Sequence, residues 1–391
     1  MTPSRLLPVL LAGLALLSAG QTQAQGLAGI PPGPASIPMF RERITTEGER
    51  NRVLNEMEIG ARSMWSGDTE TGKASFDQAI LRIQSVFADS PTAADARKLW
   101  YDEGSKLFKG EPYERAMAFL YRGLLYLREA DYENARAAFR QGLMQDAFAE
   151  ESQNRADFAA LLFLDAWASH LNGDTDLSEE TQKQLKLLRP NFPGIAPDAD
   201  TLVYVETGLA PRKLGDGANH SYFVFKRGKA FVERRAELVQ GDSVTPIAPV
   251  EDVFYQAATR GGREVDQILQ GKATFKNTTG AIGSVFSDTV LAINDNASLQ
   301  GSSLGDAAGV LAGISVVSLI ISSNTKPAAD TRTWSSLPDT IHVLTLSTKG
   351  KPAPGVVRFL DKDGAPVAGL DKDVQYQTDP RGAVLALVRS R

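Results

Sequence analysis

Hydrophobic positions recur at helical spacing through the first half of the chain and at a spacing of two in much of the second half. The helical spacing predicts amphipathic helices over 41–189, and the prolines of the Arg-Pro-Asn-Phe-Pro sequence at 189–193 end them. Alternation predicts strands at 201–205, at 222–228 and 229–239 around a turn, and again from Thr340 onward. Helices followed by a mixed body and a strand-rich end predict an α+β fold.

Part of the helical half repeats itself at a fixed offset of 63 residues. The matching positions are small residues, a turn aspartate and a phenylalanine: Gly60, Asp68, Gly72, Phe76 and Ala79 match Gly123, Asp131, Ala135, Phe139 and Gly142. A third copy over 161–188 keeps Ala166 and Asp174. Fixed-offset similarity of this kind predicts a tetratricopeptide-like arm of paired antiparallel helices.

The repeat also explains a near match to a phosphate-binding loop. Gly67, Gly72 and Lys73 have the required spacing, but Ala74 replaces the hydroxyl residue. The residues before this loop have a helical period, whereas a phosphate-binding loop follows a strand. The sequence therefore predicts an interhelix turn and a helix start, with no bound nucleotide.

Two other motifs resemble catalytic or metal-binding sequences. Residues 301–305 match G-x-S-x-G with Ser303, but the preceding sequence is a polar loop rather than a strand. Residues 361–364, Asp-Lys-Asp-Gly, lie between strand-like runs and predict a hairpin turn rather than a calcium loop. With no cysteine and three scattered histidines, we predict no catalytic, cofactor or metal residues.

The segment after a predicted helix at 249–273 is rich in glycine, alanine and aliphatic residues. Residues 277–325 contain two apolar runs, and the second includes Gly309 and Gly313 at a spacing that lets helices approach closely. Its truly apolar part is shorter than a bilayer span, and Asp288 interrupts its partner run. We therefore expect a buried helical hairpin whose glycine face packs against the protein's own body or, in a homo-oligomer, against a neighbouring subunit, and do not favour a membrane span.

The N-terminal sequence is typical of an export signal. Arg5 precedes an apolar run and a small-residue cleavage site ending at Ala24, and Gln21 replaces a lipoprotein cysteine. We expect a periplasmic product. The predicted regions are a signal peptide at 1–24, a Pro/Gly-rich tether at 25–40, helical repeats at 41–195, a mixed body at 196–276, an apolar hairpin at 277–325 and a β-rich region at 326–391. A net charge of −5 gives no support for a nucleic-acid partner.

Three short motifs carry a resemblance to a known family. They are VYVETGLAPRK at 203–213, PVEDVFYQAATRGGREVDQI at 249–268 and ADTRTWSSLPDTIHVLTL at 329–346. Together they resemble an uncharacterised family of exported bacterial envelope proteins, usually lipoproteins, with a tetratricopeptide-like N-terminal half. The family has two characteristic motifs, E-x-G-x-x-P-x-K and A-D-x-R-x-W-x-x-L-P. Matched to this sequence, they imply a candidate signature site that comprises Glu206, Gly208, Pro211, Lys213, Asp330, Arg332 and Trp334.

Two interpretations of the signature remain open at this point. If Arg332 and Trp334 lie on a strand, they share one face, and the guanidinium can stack on the indole to form a recognition site. Alternatively, Trp334 belongs to the core and Arg332 forms a local ion pair with Asp330.

The repeat alignment also predicts a groove lined by the first helix of each pair. Its residues are Leu54, Met57, Met64, Met117, Leu120, Leu124, Leu127, Phe163, Trp167 and His170. An open groove suits a helix or extended peptide of a partner, whereas the protein's own body can also fill it. We predict a non-enzymatic envelope scaffold that binds another envelope protein or peptide. The alternatives are a membrane-inserting or ring-forming component that acts through 277–322, and an envelope enzyme acting on glycans.

Overall fold

A computed structural model of the chain describes residues 33–87, 107–147, 157–216, 222–229, 231–259 and 330–391. Short 3₁₀ turns at Gly33–Ser36 and Gly48–Arg50 flank the first helix. The helices of the described residues are α1 (Ile37–Glu47), α2 (Arg52–Trp65), α3 (Thr69–Phe87), α4 (Pro112–Arg128), α5 (Tyr132–Ala147), α6 (Ala159–Asn172), α7 (Thr175–Leu188) and α8 (Val253–Thr259).

Six of these helices form three hairpins with the same turn: α2 with α3, α4 with α5, and α6 with α7. Each turn contains a residue with positive φ, which is Gly67, Ala130 or Gly173. The following aspartate donates its backbone N–H to the carbonyl five residues earlier, at 2.9–3.0 Å, in all three turns. These are the turns at which the sequence places Asp68, Asp131 and Asp174.

The 63-residue correspondence also extends to the packing within the first two hairpins. A Cβ atom at Gly60 would lie 3.0 Å from the ring of Phe76, and one at Gly123 would lie 2.2 Å from the ring of Phe139. Both phenylalanines are completely buried. Glycine is therefore needed on the first helix because the aromatic ring of the second helix lies directly against its backbone.

The sequence that mimics a phosphate-binding loop is an interhelix turn, as predicted. Helix α2 rather than a strand precedes it, and Asp68 Oδ1 accepts the backbone N–H of Thr71. Lys73 lies in the first turns of α3, 2.6 Å from Glu70 and 2.5 Å from Glu129. Its ammonium therefore joins two hairpins at the surface.

The strands are β1 (Thr201–Thr207), β2 (Arg212–Asp216), β3 (Tyr222–Lys226), β4 (Arg235–Gln240), β5 (Ser243–Asp252), β6 (Thr340–Leu346), β7 (Val356–Leu360), β8 (Lys372–Asp373), β9 (Tyr376–Thr378) and β10 (Val384–Arg389). Eight of them form one curled sheet in the order β8-β7-β4-β5-β6-β1-β10-β9, and β2 pairs with β3 in a separate ribbon. Only β1 and β10 pair in parallel among these ladders. The two edge strands, β8 and β9, are separated by only two residues of chain.

Several predicted element bounds are wrong. The helix expected over 249–273 begins only at Val253, because Pro249 pairs with His342 inside β5. The strand expected through 229–239 begins at Arg235. The predicted turn at 361–364 is confirmed, since Asp361 Oδ1 accepts the backbone N–H groups of Asp363 and Ala365 at 2.9 Å.

The curled sheet has a separate core on each face. Residues on its inner face form one apolar cluster: Val203, Val205, Ala236, Leu238, Ile247, Val357, Phe359, Val374, Ala386 and Val388. Leu202, Tyr204, Ile341 and Val343 belong to a second, larger cluster that continues through the helical hairpins. Strands from 196–276 and 326–391 are thus interleaved in one sheet, which packs on the helices.

Several predicted features lie outside the described residues. They are the signal peptide at 1–24, the apolar hairpin at 277–325 with Gly309 and Gly313, and the G-x-S-x-G motif at 301–305. In the described part of the chain, no helix combines the length and the apolar character needed to cross a bilayer.

Candidate functional site

The residues of the E-x-G-x-x-P-x-K motif hold the end of β1 against the helices. Glu206 is completely buried, and its Oε1 accepts hydrogen bonds from the hydroxyls of Tyr121 at 2.7 Å and Tyr204 at 3.0 Å. Its Oε2 lies 3.3 Å from Nε of Arg389. Burial raises the pKa of Glu206 although Arg389 and the two hydroxyls act in the opposite direction. The carboxyl group therefore connects α4, β1 and β10.

The turn after β1 depends on a glycine. Gly208 has φ of +76°, and a Cβ atom there would lie 2.6 Å from Asp339 and 2.7 Å from Phe231. Pro211 is buried, and Lys213 in β2 forms an ion pair with Glu111 just before α4. The motif thus leads the chain from the sheet to the N-terminus of α4.

The A-D-x-R-x-W-x-x-L-P signature lies in the loop before β6, where Glu114 organises it. Glu114 Oε1 accepts the backbone N–H of Trp334 at 2.6 Å and the hydroxyl of Thr333 at 3.1 Å. Its Oε2 accepts the backbone N–H of Glu111 at 2.7 Å in a capping box at the start of α4. Burial raises the pKa of Glu114 to about 7, against the opposing effect of nearby Lys213.

Arg332 and Trp334 do not form the stacked pair of the first interpretation. Residues 330–338 form a loop with a turn rather than a strand, and the guanidinium of Arg332 lies 5.4 Å from the ring of Phe108. Arg332 forms an ion pair with Asp330 at 2.6 Å and donates to the carbonyl of Arg50 at 3.1 Å. The alternative interpretation, a core tryptophan beside a local ion pair, describes these contacts.

Trp334 is completely buried in an aromatic cluster between the helices and the sheet. Its ring centroid lies 5.6 Å from that of Tyr121 in an edge-on arrangement and 6.2 Å from that of Phe76. Its indole N–H donates to Ser336 Oγ at 2.8 Å, and Arg389 donates to the Ser336 carbonyl. The signature therefore brings sheet and helices together around one indole.

The predicted groove residues are also buried in this interface. None of the six groove residues proposed to bind a partner is more than 3% exposed: Met117, Leu120, Leu124, Leu127, Phe163 and Trp167. They share one core with Leu202, Tyr204 and Ile341 of the sheet. The assignment of these six residues to partner binding is therefore wrong for this structure, because their side chains are buried in the core that the helices share with the sheet.

A second polar cluster, centred on Arg227, was not predicted from the sequence. Its guanidinium contacts Asp252 at 2.7 Å and Asp339 at 2.5 Å, and all three side chains are buried. Burial raises the pKa of Asp339 to about 6 despite the charge of Arg227. Nearby, His342 Nε2 lies 3.0 Å from Thr207 Oγ1, and burial lowers the pKa of His342 to about 4.

A neighbouring carboxyl, Glu251, connects the sheet to the third hairpin. Its Oε2 accepts the backbone N–H of Ala160 at 3.3 Å, and its Oε1 lies 3.5 Å from Arg189. Burial raises the pKa of Glu251 to about 8. The only sequence signal for this cluster is the acidic pair Glu251–Asp252 at the end of an otherwise uncharged strand, within one of the motifs that carry the family resemblance.

Glu114 gives the interface a specific dependence on pH. Its folded pKa of about 7 exceeds the usual 4.5, so the folded chain retains a proton that the unfolded chain releases. This contribution to stability is complete below about pH 4.5 and is lost as the pH rises through 7. Between pH 5 and pH 7 we expect the free energy of unfolding to fall by about 2–3 kcal/mol from this group, since one pKa unit corresponds to about 1.4 kcal/mol.

Urea unfolding of the wild type and Glu114→Gln across pH 5–8 measures this contribution. The free energies of unfolding of the variant and the wild type should be most similar at pH 5, where both side chains are neutral. Toward pH 8 the variant should lose less stability than the wild type. Parallel pH profiles for the two proteins would contradict the assignment of this titration to Glu114.

The described residues contain no group of three or more His, Asp or Glu side chains placed to hold a metal ion. Comparisons of the chain with protein-family models, with curated proteins and with solved structures find no match in any of the three. The contacts and chemistry of the interface are therefore the basis for a functional proposal.

Proposed function

We propose that the protein is a non-enzymatic scaffold of the bacterial cell envelope that binds another envelope protein or peptide through its outer surface. The observation that carries this proposal is the use of the buried ionisable side chains. Glu114, Glu206 and Arg227 each contact partners across the junction of helices and sheet or within the sheet. Such contacts support a rigid body better than a site open to a substrate.

The helical part is proposed to be a tetratricopeptide-like arm. Three hairpins with the same turn, and two with the same glycine–phenylalanine contact, support this assignment. In a repeat arm of this kind an open groove receives peptides, but here the residues predicted to line it are buried in a core shared with the sheet. A partner is therefore proposed to bind elsewhere on the surface, rather than at the groove predicted from the sequence.

The envelope assignment rests on the sequence. The N-terminal run typical of an export signal favours it, and so does the resemblance of three motifs to a family of envelope proteins. We propose a periplasmic location on these grounds.

A glycan-cleaving enzyme is the weaker alternative. Two carboxyl groups flanking a glycosidic bond need about 5–10 Å of open space between them. Asp252 and Asp339 share the guanidinium of Arg227 instead, and each is only 1% exposed. A sugar ring has no access between these two groups.

Photo-cross-linking in the producing cells tests the proposal. A photoreactive amino acid is placed singly at four exposed apolar positions that belong to different elements or loops: Leu177, Leu214, Val232 and Val244. We expect at least one position to give a discrete cross-link to an envelope protein, while other positions give none. The purified chain should release no soluble fragments from peptidoglycan. Release of fragments, or no protein cross-link at any position, would contradict the scaffold function.

A further inference from the structure

Three exposed apolar side chains occupy the same position in the three hairpins. Leu81, Met144 and Leu187 are 61%, 48% and 80% exposed. Met144 follows Leu81 by 63 residues and Leu187 follows Met144 by 43, which are the offsets that relate the three hairpin turns. Each side chain lies in the C-terminal half of the second helix of its hairpin. We call these three residues the apolar row.

The repetition distinguishes this row from scattered surface leucines. A single exposed leucine is ordinary, but three equivalent positions with large apolar side chains form a pattern. The position three residues earlier is a glutamine in every hairpin: Gln78, Gln141 and Gln184. Each hairpin thus presents a large apolar side chain beside an uncharged polar one. A surface with this composition is expected where another segment of protein covers it.

One end of the apolar row lies near the point where the chain re-enters the described structure at Asp330. Arg82, the neighbour of Leu81, donates to Glu49 at 3.1 Å. The carbonyl of the next residue, Arg50, accepts a hydrogen bond from Arg332 at 3.1 Å. Leu81 is therefore close to the start of the signature loop.

The rest of the apolar row lies at the same end of the helices, near the point where the chain leaves after α8. Gln145, next to Met144, accepts a hydrogen bond from Arg115 near the N-terminus of α4, at 2.9 Å. Helix α8 packs against α4. Arg189, which follows α7 and Leu187, donates to the carbonyl of Val250 at 3.2 Å, three residues before α8 begins.

The chain between these two points has the composition to cover the apolar row. Residues 260–329 join α8 to the signature loop, and residues 307–321 are a run of fifteen without a charge. The eight residues at 322–329 span at most about 30 Å, so the end of this run is tethered within that distance of Asp330. As a helix it would be about 22 Å long. We propose that residues 307–321 pack over the apolar row of their own chain.

Cross-linking is a direct test because the chain contains no cysteine. Met144→Cys is combined with single cysteines at Val310, Ile314 and Val317 in turn, and each protein is treated with a bismaleimide of about 10 Å. We expect an intramolecular cross-link in the monomer for at least one pair. Glu133→Cys is the matched control, because it is exposed on α5 about 16 Å from Met144 along the helix axis. The control should form this cross-link at least tenfold less.

Labelling rates give a second and independent readout in the full chain. A cysteine at Leu81 or Met144 should react with a maleimide reagent at least tenfold more slowly than the cysteine at Glu133. Val317→Asp, which places a charge in the apolar run, should remove most of this protection. Equal rates for all three cysteines would overturn the proposal. Cross-links only between two copies would also overturn it, in favour of a dimer, and protection only with phospholipid vesicles would favour a membrane surface.

Discussion

Trp334→Ala should destabilise the protein by about 3–5 kcal/mol, as for a large aromatic side chain removed from a packed core. Trp334 is completely buried and contacts the aromatic rings of Tyr121 and Phe76 from two different hairpins. Its removal leaves a cavity between sheet and helices, and it also leaves Ser336 without the indole donor. The loss of stability should therefore affect both the helices and the sheet.

Urea unfolding followed by far-ultraviolet circular dichroism measures this change. Leu177→Ala is the matched control, since Leu177 is 41% exposed on α7 and should cost less than about 0.5 kcal/mol. Trp334→Phe keeps an aromatic ring and should cost less than the alanine variant. A loss below about 1 kcal/mol for Trp334→Ala would mean that the signature tryptophan does not hold the helices and the sheet together.

Arg227→Met should cost about 3–5 kcal/mol at pH 7, because it leaves two buried carboxyl groups without their shared cation. The side chain contacts Asp252 at 2.7 Å and Asp339 at 2.5 Å, and its guanidinium also lies 4.6 Å from the ring of Phe254. Methionine keeps much of the apolar volume and removes the charge. The change in the free energy of unfolding therefore measures the electrostatic role of Arg227.

The same variant should have a diagnostic pH dependence. Without Arg227 the folded pKa of Asp339 rises further, so the folded state gains stability when this group is protonated. The destabilisation should therefore decrease from pH 7 to pH 5. Asp252→Asn and Asp339→Asn, added to Arg227→Met, should restore at least half of the lost stability at pH 7. A triple variant less stable than Arg227→Met would contradict this account of the cluster.

The local parts of the fold were predictable because they depend on short-range patterns. The spacing of Gly60 and Phe76 recurs at Gly123 and Phe139, and each pair packs within a single hairpin. Likewise, the Asp-Lys-Asp-Gly turn needs only the bonds that Asp361 makes to its immediate neighbours. Such contacts are encoded within about twenty residues of sequence.

The parts that sequence reasoning did not predict depend on contacts between distant segments. Glu114 stands three residues after Glu111, which is the spacing of a capping box. Its main partner, however, is the backbone of Trp334, which lies 220 residues away in the sequence. The sequence alone does not decide whether the predicted groove is filled or open, because that depends on where β1 and β6 pack. The helix expected from Pro249 fails for the same reason, since pairing with His342 holds that residue in a strand.

The helical hairpins and the curled sheet share one core, and we expect the two parts to unfold as one cooperative body. Native-state hydrogen exchange, read by mass spectrometry on the full chain, tests it most directly. We expect amides of α4, of β1 and of the 334–346 region to exchange through one opening reaction, with the same free energy and the same dependence on denaturant. Exchange of α4 at a clearly lower free energy, while β1 stays protected, would show helices that separate from the sheet and would contradict cooperative unfolding.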